Sequence, residues 1–484
     1  MALPSIDMEK DLSALKTLRS TLEGHGYQEQ AIAGLLDLWD ISELSGADYA
    51  LYCWKCRRAN TPLAHLVSTF LLGLPSSKPR LRKLLGRDAL ECLLDIGLIT
   101  HDGPIYSSEA VIYPCLGMII FTDHWALAGG VQEMGKVYEL GSDSYVLARV
   151  TPRKGEGKAL DLCTGSGVHA VHSAVKQMVS SAVDINPRAL MYTRFNSFLN
   201  EVDCSAALAD LYSQTGEETF DLITANPPFV PSPDKDVLIH RSAGETGEEV
   251  PERLVAALPE KLKEGGLFSM VLEHPVFKDD PYLDRLERWL GETVGWCILV
   301  LTFKEYPAAK YVVRHLGGVE DQEAGYNSYL ESYAAHGIVA MRFANVFIQR
   351  LPYKAPNFML NQNTVWPNRD IAQEMGDWFE AISYYHNPDW EPDPNWRPKP
   401  NSIFKNCWRN QAQTQGILET DDQTWIETSP LGLLETTLFF WLDGNRKISQ
   451  LREMWVEAGH QVSLFVPTLR KLGLNRALEF RSSQ

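Results

Sequence analysis

Between about residues 135 and 350 the chain alternates short apolar runs with amphipathic segments, and this rhythm restricts its fold more than any other feature. KALDLC, SSAVDI, CSAALA, FDLITA, GGLFSMVLE and GWCILVLTF have the length and apolar character of buried strands. VHAVHSAVKQM, PRALMYTRFNSFLNE and EEVPERLVAALPEKLK lie between several of them with apolar residues at helical spacing. Strands and helices alternating over short connections predict a mostly parallel sheet covered by helices on both faces. HGIVAMRFANVFIQRL, near the end of the region, is expected as an edge strand.

At 484 residues the chain is too long for one compact core. Three regions are expected: residues 1–134, 135–352 and 353–484. The middle one is α/β, a Rossmann-like doubly wound sheet. The first reads as short helices followed by the strand-rich PIYSSEAVIYPCLGMIIFTD, the order of a winged-helix unit. Its PRLRK stretch is the one basic feature there, so packing or partner binding is favoured over DNA binding. The third opens with HNPDWEPDPNWRPKPNS, rich in Pro and Trp, a passage that could wall a substrate pocket. It continues with three helical patterns that suggest a second winged-helix-like unit.

Charge narrows the partners. Against 45 basic residues stand 62 acidic ones, for a net charge of -17. A phosphate backbone rewards clustered Lys and Arg, so this balance argues against a nucleic-acid partner. No run approaches the roughly 20 apolar residues of a membrane span, and the N-terminus lacks the apolar core of a signal peptide. Eight scattered cysteines fit reduced thiols in a cytoplasmic protein. Cys53 and Cys56 form a CxxC, but a zinc site needs a second pair or spaced histidines, and only His65 is near. Packing on a helix is the expectation for the pair. No motif bears on oligomeric state.

The strand KALDLC runs into TGSGVHA, so Gly165 and Gly167 open a helix. Such a turn lets a ligand approach the backbone at a helix N-terminus. Gly165-x-Gly167-x-x-Ala170, with Asp184 nineteen positions after Gly165, also fits a dinucleotide fingerprint. Asp161 weighs against that reading. An acid beside the turn would repel a pyrophosphate but suit a cofactor bearing a positive amine or sulfonium.

LDLCTGSG, AVDINPRAL, ALADLY and DLITANPPF, in this order and spacing, resemble class I S-adenosylmethionine-dependent methyltransferases. NPPF resembles the nitrogen-directed branch that includes the release-factor glutamine methyltransferases and several RNA-base methyltransferases. Leu140–Ser144, before the first strand, is similar to the corresponding segment of that branch. The resemblance covers about 210 central residues and excludes both flanks. It implies S-adenosylmethionine as cofactor and S-adenosylhomocysteine as product. It places Asp161 near the methionine amine, directly or through water, Gly165 and Gly167 under the methionine moiety, Asp184 at the ribose hydroxyls and Asp210 at the adenine amine. Thr164, Ile185 and Leu211 beside them, and Asn226, would complete the cofactor site. A helix cap or an Arg partner is the bland alternative for Asp161 and Asp184, and a turn for Asp210.

The NPPF tetrad also has a physical logic. Asn226 offers a side-chain carbonyl, and Pro227 has a backbone carbonyl but no N–H. Together they can accept both hydrogens of an NH₂ group and turn its lone pair toward a methyl carbon. The prolines stiffen the clamp, and Phe229 can stack on a planar acceptor. An ordinary Asn-Pro turn ending a strand is the alternative. Arg241 and Glu245, in the polar loop beyond, are candidate substrate contacts or simply solvated. His169 and His172 are read as packing or surface residues.

These observations predict an N-methyltransferase acting on a small molecule, amino acid, peptide or protein. A base-modifying methyltransferase and a non-catalytic scaffold are the alternatives. An NAD enzyme is weakened by Asp161 and leaves NPPF without a role.

Overall fold

The computed structural model describes residues 8–124, 135–233, 244–316, 321–402, 404–409, 415–420 and 430–479. Its centre is an eight-stranded sheet. In chain order the central elements are α1 (Ser142–Val150), β1 (Lys158–Leu162), α2 (Val168–Val175), β2 (Val179–Asp184), α3 (Pro187–Leu199), β3 (Cys204–Leu208), β4 (Phe220–Ala225) and α4 (Glu249–Ala256). They continue with β5 (Leu262–Phe277), α5 (Tyr282–Leu290), β6 (Trp296–Pro307), α6 (Ala308–Val313), α7 (Gln322–Ala335), β7 (Ile338–Arg350), β8 (Phe358–Asn363) and α8 (Ala372–Tyr385).

The strand order is β8-β6-β7-β5-β4-β1-β2-β3, and β7 alone runs antiparallel to its neighbours. The mostly parallel doubly wound sheet is therefore present, with one correction. The HGIVAMRF strand is not at the edge: β7 is inserted between β5 and β6, and the edge belongs to β8. Its almost unbroken burial is the reason, because both sheet faces are covered where it lies. β8 alternates half-buried and exposed residues, as an edge strand does.

Alternation assigns the two faces. Phe268, Met270 and Leu272 of β5 pack with α4 and α5, and Leu267 and Val271 pack with α1 and α8. α8 contributes Met375, Trp378 and Ile382 to that second core. A strand and a covering helix of the central sheet thus lie beyond residue 352, where the sequence suggested a boundary.

The N-terminal region contains helices Met8–Gly24, Glu29–Leu36, Tyr49–Ala59, Lys78–Leu85 and Arg87–Asp95, among shorter turns. Ile105–Ser108 pairs with both Ser76–Ser77 and Ile99–Asp102. A hairpin follows, Ala110–Cys115 with Met118–Asp123. Its second strand is closed by side chains at the C-terminal end of α3. Asn196 exchanges two 2.8 Å hydrogen bonds with the Phe121 backbone, and Asn200 does the same for Ile119 at 3.0 and 2.8 Å. Two amides on a helix thus satisfy backbone groups that would otherwise be orphaned. A buried ionic cluster adds a second link: the Arg149 guanidinium of α1 donates to Asp40 at 2.9 and 3.0 Å and to Glu29 at 2.8 Å. Burial opposes the Arg149 charge, but the two carboxylates hold its pKa above the usual value. Cys53 and Cys56 are buried on helix Tyr49–Ala59, and burial pushes the Cys56 thiol up to about 11.

The C-terminal helices Leu433–Phe439, Ile448–Glu457 and Phe465–Leu474 enclose Leu438, Leu451, Trp455 and Leu469. Trp390 and Trp396 pack there too, the former against Tyr385 at 5.3 Å. The Trp-rich passage therefore joins the core of the C-terminal helices and does not wall the cleft described below, because Trp390 and Trp396 pack among these helices. Among the described residues, no helix is long and apolar enough to cross a membrane.

Candidate active site

Where the strand order reverses, between β1 and β4, the connections diverge and leave a crevice beyond the carboxyl ends of the strands. Here it opens into a cleft of about 1310 Å³. One half is lined by Thr164, Gly165, Asp184, Ile185, Asp210 and Leu211. The other holds Glu273, Lys304, Tyr306, Arg314, Phe343 and Trp366, and Asn226 to Phe229 stand along the same cleft.

The turn after β1 needs its glycines. Gly165 and Gly167 have φ of +53° and +81°, a region that side chains disfavour. A Cβ on Gly167 would lie 2.8 Å from the Thr193 Cα, so the glycine also sets how closely α2 approaches α3. Asp184 ends β2 and closes the turn: it accepts from the Gly165 N–H and the Asn186 N–H, both at 2.9 Å. Burial raises its pKa against the pull of those N–H groups. Ile185 is 52% exposed, a bare apolar side chain on the cleft wall.

Asp161 makes no direct contact with the cleft. It lies 2% exposed beneath the turn and does not line the cleft. Its two oxygens accept from the hydroxyls of Thr164 at 2.6 Å and Thr224 at 2.7 Å. Burial raises its pKa to about 6, with both hydroxyls and Arg153 working in the opposite direction. The acid therefore reaches the cleft only through Thr164. Asp210 does line the cleft, with one oxygen 2.7 Å from the Arg253 guanidinium in a half-exposed pair.

At the end of β4 the Asn226 amide donates through Nδ2 to Asp143 Oδ2 at 3.0 Å. Asp143 also accepts from the Ser144 N–H at 2.8 Å. Burial pushes the Asp143 pKa up, and the Asn226 and Ser144 hydrogen bonds oppose it. The loop behind NPPF is braced. Tyr333 of α7 donates its hydroxyl to the Pro231 carbonyl at 3.2 Å, and Gly247 comes so close that a Cβ would meet the Phe229 carbonyl at 2.3 Å. Glu245 lines the cleft and pairs with His336 at 3.1 Å. Arg241 lies outside the described residues. His169 and His172 are buried in α2, where burial depresses both pKa values, as expected of packing residues.

Sequence reasoning quoted the Asp143 segment without giving the acid a role, and missed Glu273 and the Lys304–Trp366 wall. Glu273 left a signal, a lone acid inside the apolar run GLFSMVLE.

The methyltransferase small domain family matches residues 137–295, which contain most of this cleft. A putative protein N5-glutamine methyltransferase of Methanocaldococcus jannaschii is 30% identical over 145 residues, covering 28% of this chain and 72% of the relative. The chain belongs to the small-domain methyltransferase family. A release factor glutamine methyltransferase of Koribacter versatilis is 30% identical over 154 residues, 29% of this methyltransferase and 54% of the relative. A ribosomal RNA small subunit methyltransferase C of Actinobacillus pleuropneumoniae is 31% identical over 140 residues, 28% of this chain and 37% of that one. The matched part is the central sheet, and these last two relatives extend well beyond it.

This methyltransferase uses S-adenosylmethionine, and the cleft fits that cofactor. Backbone at a glycine turn suits an amino-acid moiety, a carboxylate ending β2 suits vicinal hydroxyls, and Ile185 and Leu211 offer apolar surface to a base.

Proposed function

We propose that this methyltransferase transfers a methyl group to a planar or primary nitrogen of a small molecule, amino acid, peptide or protein, held by Asn226 and Pro227. The observation that carries the reading is the orientation of the Asn226 amide. A carboxylate accepts but does not donate, so Asp143 draws Nδ2 to itself. The amide oxygen is thereby turned away from Asp143 and kept for an incoming N–H.

S-adenosylmethionine, when bound, supplies an electrophilic methyl group. Thr164, Gly165, Asp184, Ile185, Asp210 and Leu211 would hold it, with Asp161 acting through Thr164. Asn226 Oδ1 and the Pro227 carbonyl would accept the two hydrogens of the acceptor nitrogen. Accepting them localises a lone pair that an amide or aryl amine otherwise delocalises. Positioning of this kind supplies on the order of 7–11 kcal/mol in favourable cases. Phe229 would stack on the acceptor plane, and Glu245 and Arg241 are the candidate further contacts to the acceptor.

A second reading, methylation of an exocyclic base amine, has support from the ribosomal RNA relative. The net charge of -17 favours the first. The test uses labelled S-adenosylmethionine against amides, free amino acids, glutamine peptides and RNA, with wild type and Asn226→Ala. Label on nitrogen in wild type, with none in the variant although S-adenosylhomocysteine still binds it, is the expected result. Undiminished transfer by the variant would sink the clamp.

A further inference from the structure

The half of the cleft away from the glycine turn has a built character that neither the family nor the relatives' names assign. Register places Glu273 of β5, Phe343 of β7 and Lys304 of β6 side by side across three strands, on one face. Trp366 stacks on Phe343 with centroids 4.9 Å apart and planes at 29°. Beside this aromatic floor stands Tyr306, and two cations lie over its ring: Lys304 Nζ at 4.8 Å and the Arg314 guanidinium carbon at 4.5 Å from the centroid.

The acids of this lobe are already engaged. Glu273 is buried and accepts from Arg314 at 2.8 Å and from the Tyr311 hydroxyl at 2.7 Å. Glu245 pairs with His336. Lys304 makes no ion pair among the described residues, so its charge is uncompensated beside a second cation on the same ring. An uncompensated cation on a cleft wall favours an anion beside it.

We propose that this lobe binds a small acceptor in which a flat amide or amine is joined to one carboxylate or phosphate. The flat part would lie on Trp366, itself packed on the buried Phe343, and the anionic group would sit at Lys304, beside Arg314. This rests on the nitrogen-transfer reading above and deepens it. One anionic group is the right number because Glu273 already matches Arg314, which leaves Lys304 as the one cation of this wall without an acid among the described residues. A phosphate backbone would need a stripe of cations across the surface. The volume agrees, since about 1310 Å³ exceeds the roughly 300–1,000 Å³ of a site for one small molecule. Both donor and acceptor fit.

The test is calorimetry on the full chain saturated with S-adenosylhomocysteine. The probes are benzamide, 3-carbamoylbenzoate and 3-carbamoylphenyl phosphate, with a neutral glutamine peptide as a fourth. At least one anionic amide should bind about tenfold or more tighter than benzamide, a difference of ~1.4 kcal/mol. The two anions tell carboxylate from phosphate recognition. Lys304→Gln should shrink the preference to about threefold or less, and Lys304→Arg should keep it. Lys304 is exposed and makes no ion pair among the described residues, so neither change threatens the fold.

The inference is overturned if neither anionic amide is preferred, if Lys304→Gln leaves the preference intact, or if the neutral peptide binds more tightly than both. Failure of S-adenosylhomocysteine to bind would instead remove the methyltransferase reading beneath it.

Discussion

Asp161→Asn should make this enzyme more stable at neutral pH while weakening its cofactor site. The Asp161 carboxyl is 2% exposed, and burial raises its pKa from the ordinary 3.8 to about 6. A raised acid pKa means that the folded chain holds this proton more tightly than the unfolded chain does. The stability tied to the protonated group is fully present below about pH 4. It is lost as pH rises through about 6. The gap between the two pKa values corresponds to roughly 3 kcal/mol above pH 6. Because the group is buried, solvent screening removes little of it. Asparagine imitates the neutral acid, and the Thr164 and Thr224 hydroxyls can rotate to meet it. Urea unfolding should therefore show the variant more stable than wild type by about 3 kcal/mol at pH 7, with little difference at pH 4. Calorimetry should show weaker S-adenosylhomocysteine binding, because Thr164 loses a charged partner. A variant no more stable at pH 7, or equally stabilised at both pH values, would refute the electrostatic account. A residue that costs stability and serves a site is a familiar trade.

Asp184→Ala removes a charged acceptor from two backbone N–H groups and should raise the Kd for S-adenosylhomocysteine about tenfold or more, read by calorimetry. Gly167→Ala forces a side chain into φ +81° and against Thr193, so Tm should fall by the equivalent of at least ~1 kcal/mol, with the cofactor site loosened as well. Arg149→Met leaves the buried Asp40 and the half-buried Glu29 without their cation, at about 3–5 kcal/mol by urea unfolding.

The sequence alone determined what local chemistry can encode. Period and length marked the strands and helices of the central sheet. Glycines at 165 and 167 marked a turn that only small residues allow, and Asn226 with two prolines marked a stiff strand end. Those signals lie within a few residues of one another, so a one-dimensional reading recovers them. Tertiary structure decided everything that depends on strand order and depth. β7 looks like a final strand, yet pairing places it inside the sheet and gives the edge to β8. Asp161 reads as a cofactor contact, but the pleat turns its side chain beneath the turn, where two threonines hold it. Asp143 lies 83 residues from Asn226, and only the packing of α1 on β5, the neighbour of β4, brings them to 3.0 Å. The Lys304, Arg314 and Trp366 wall is likewise assembled from β6, the end of α6 and the segment after β8, which share no motif. Contacts between residues so distant in the chain arise from packing the two sheet faces, and no local pattern records them.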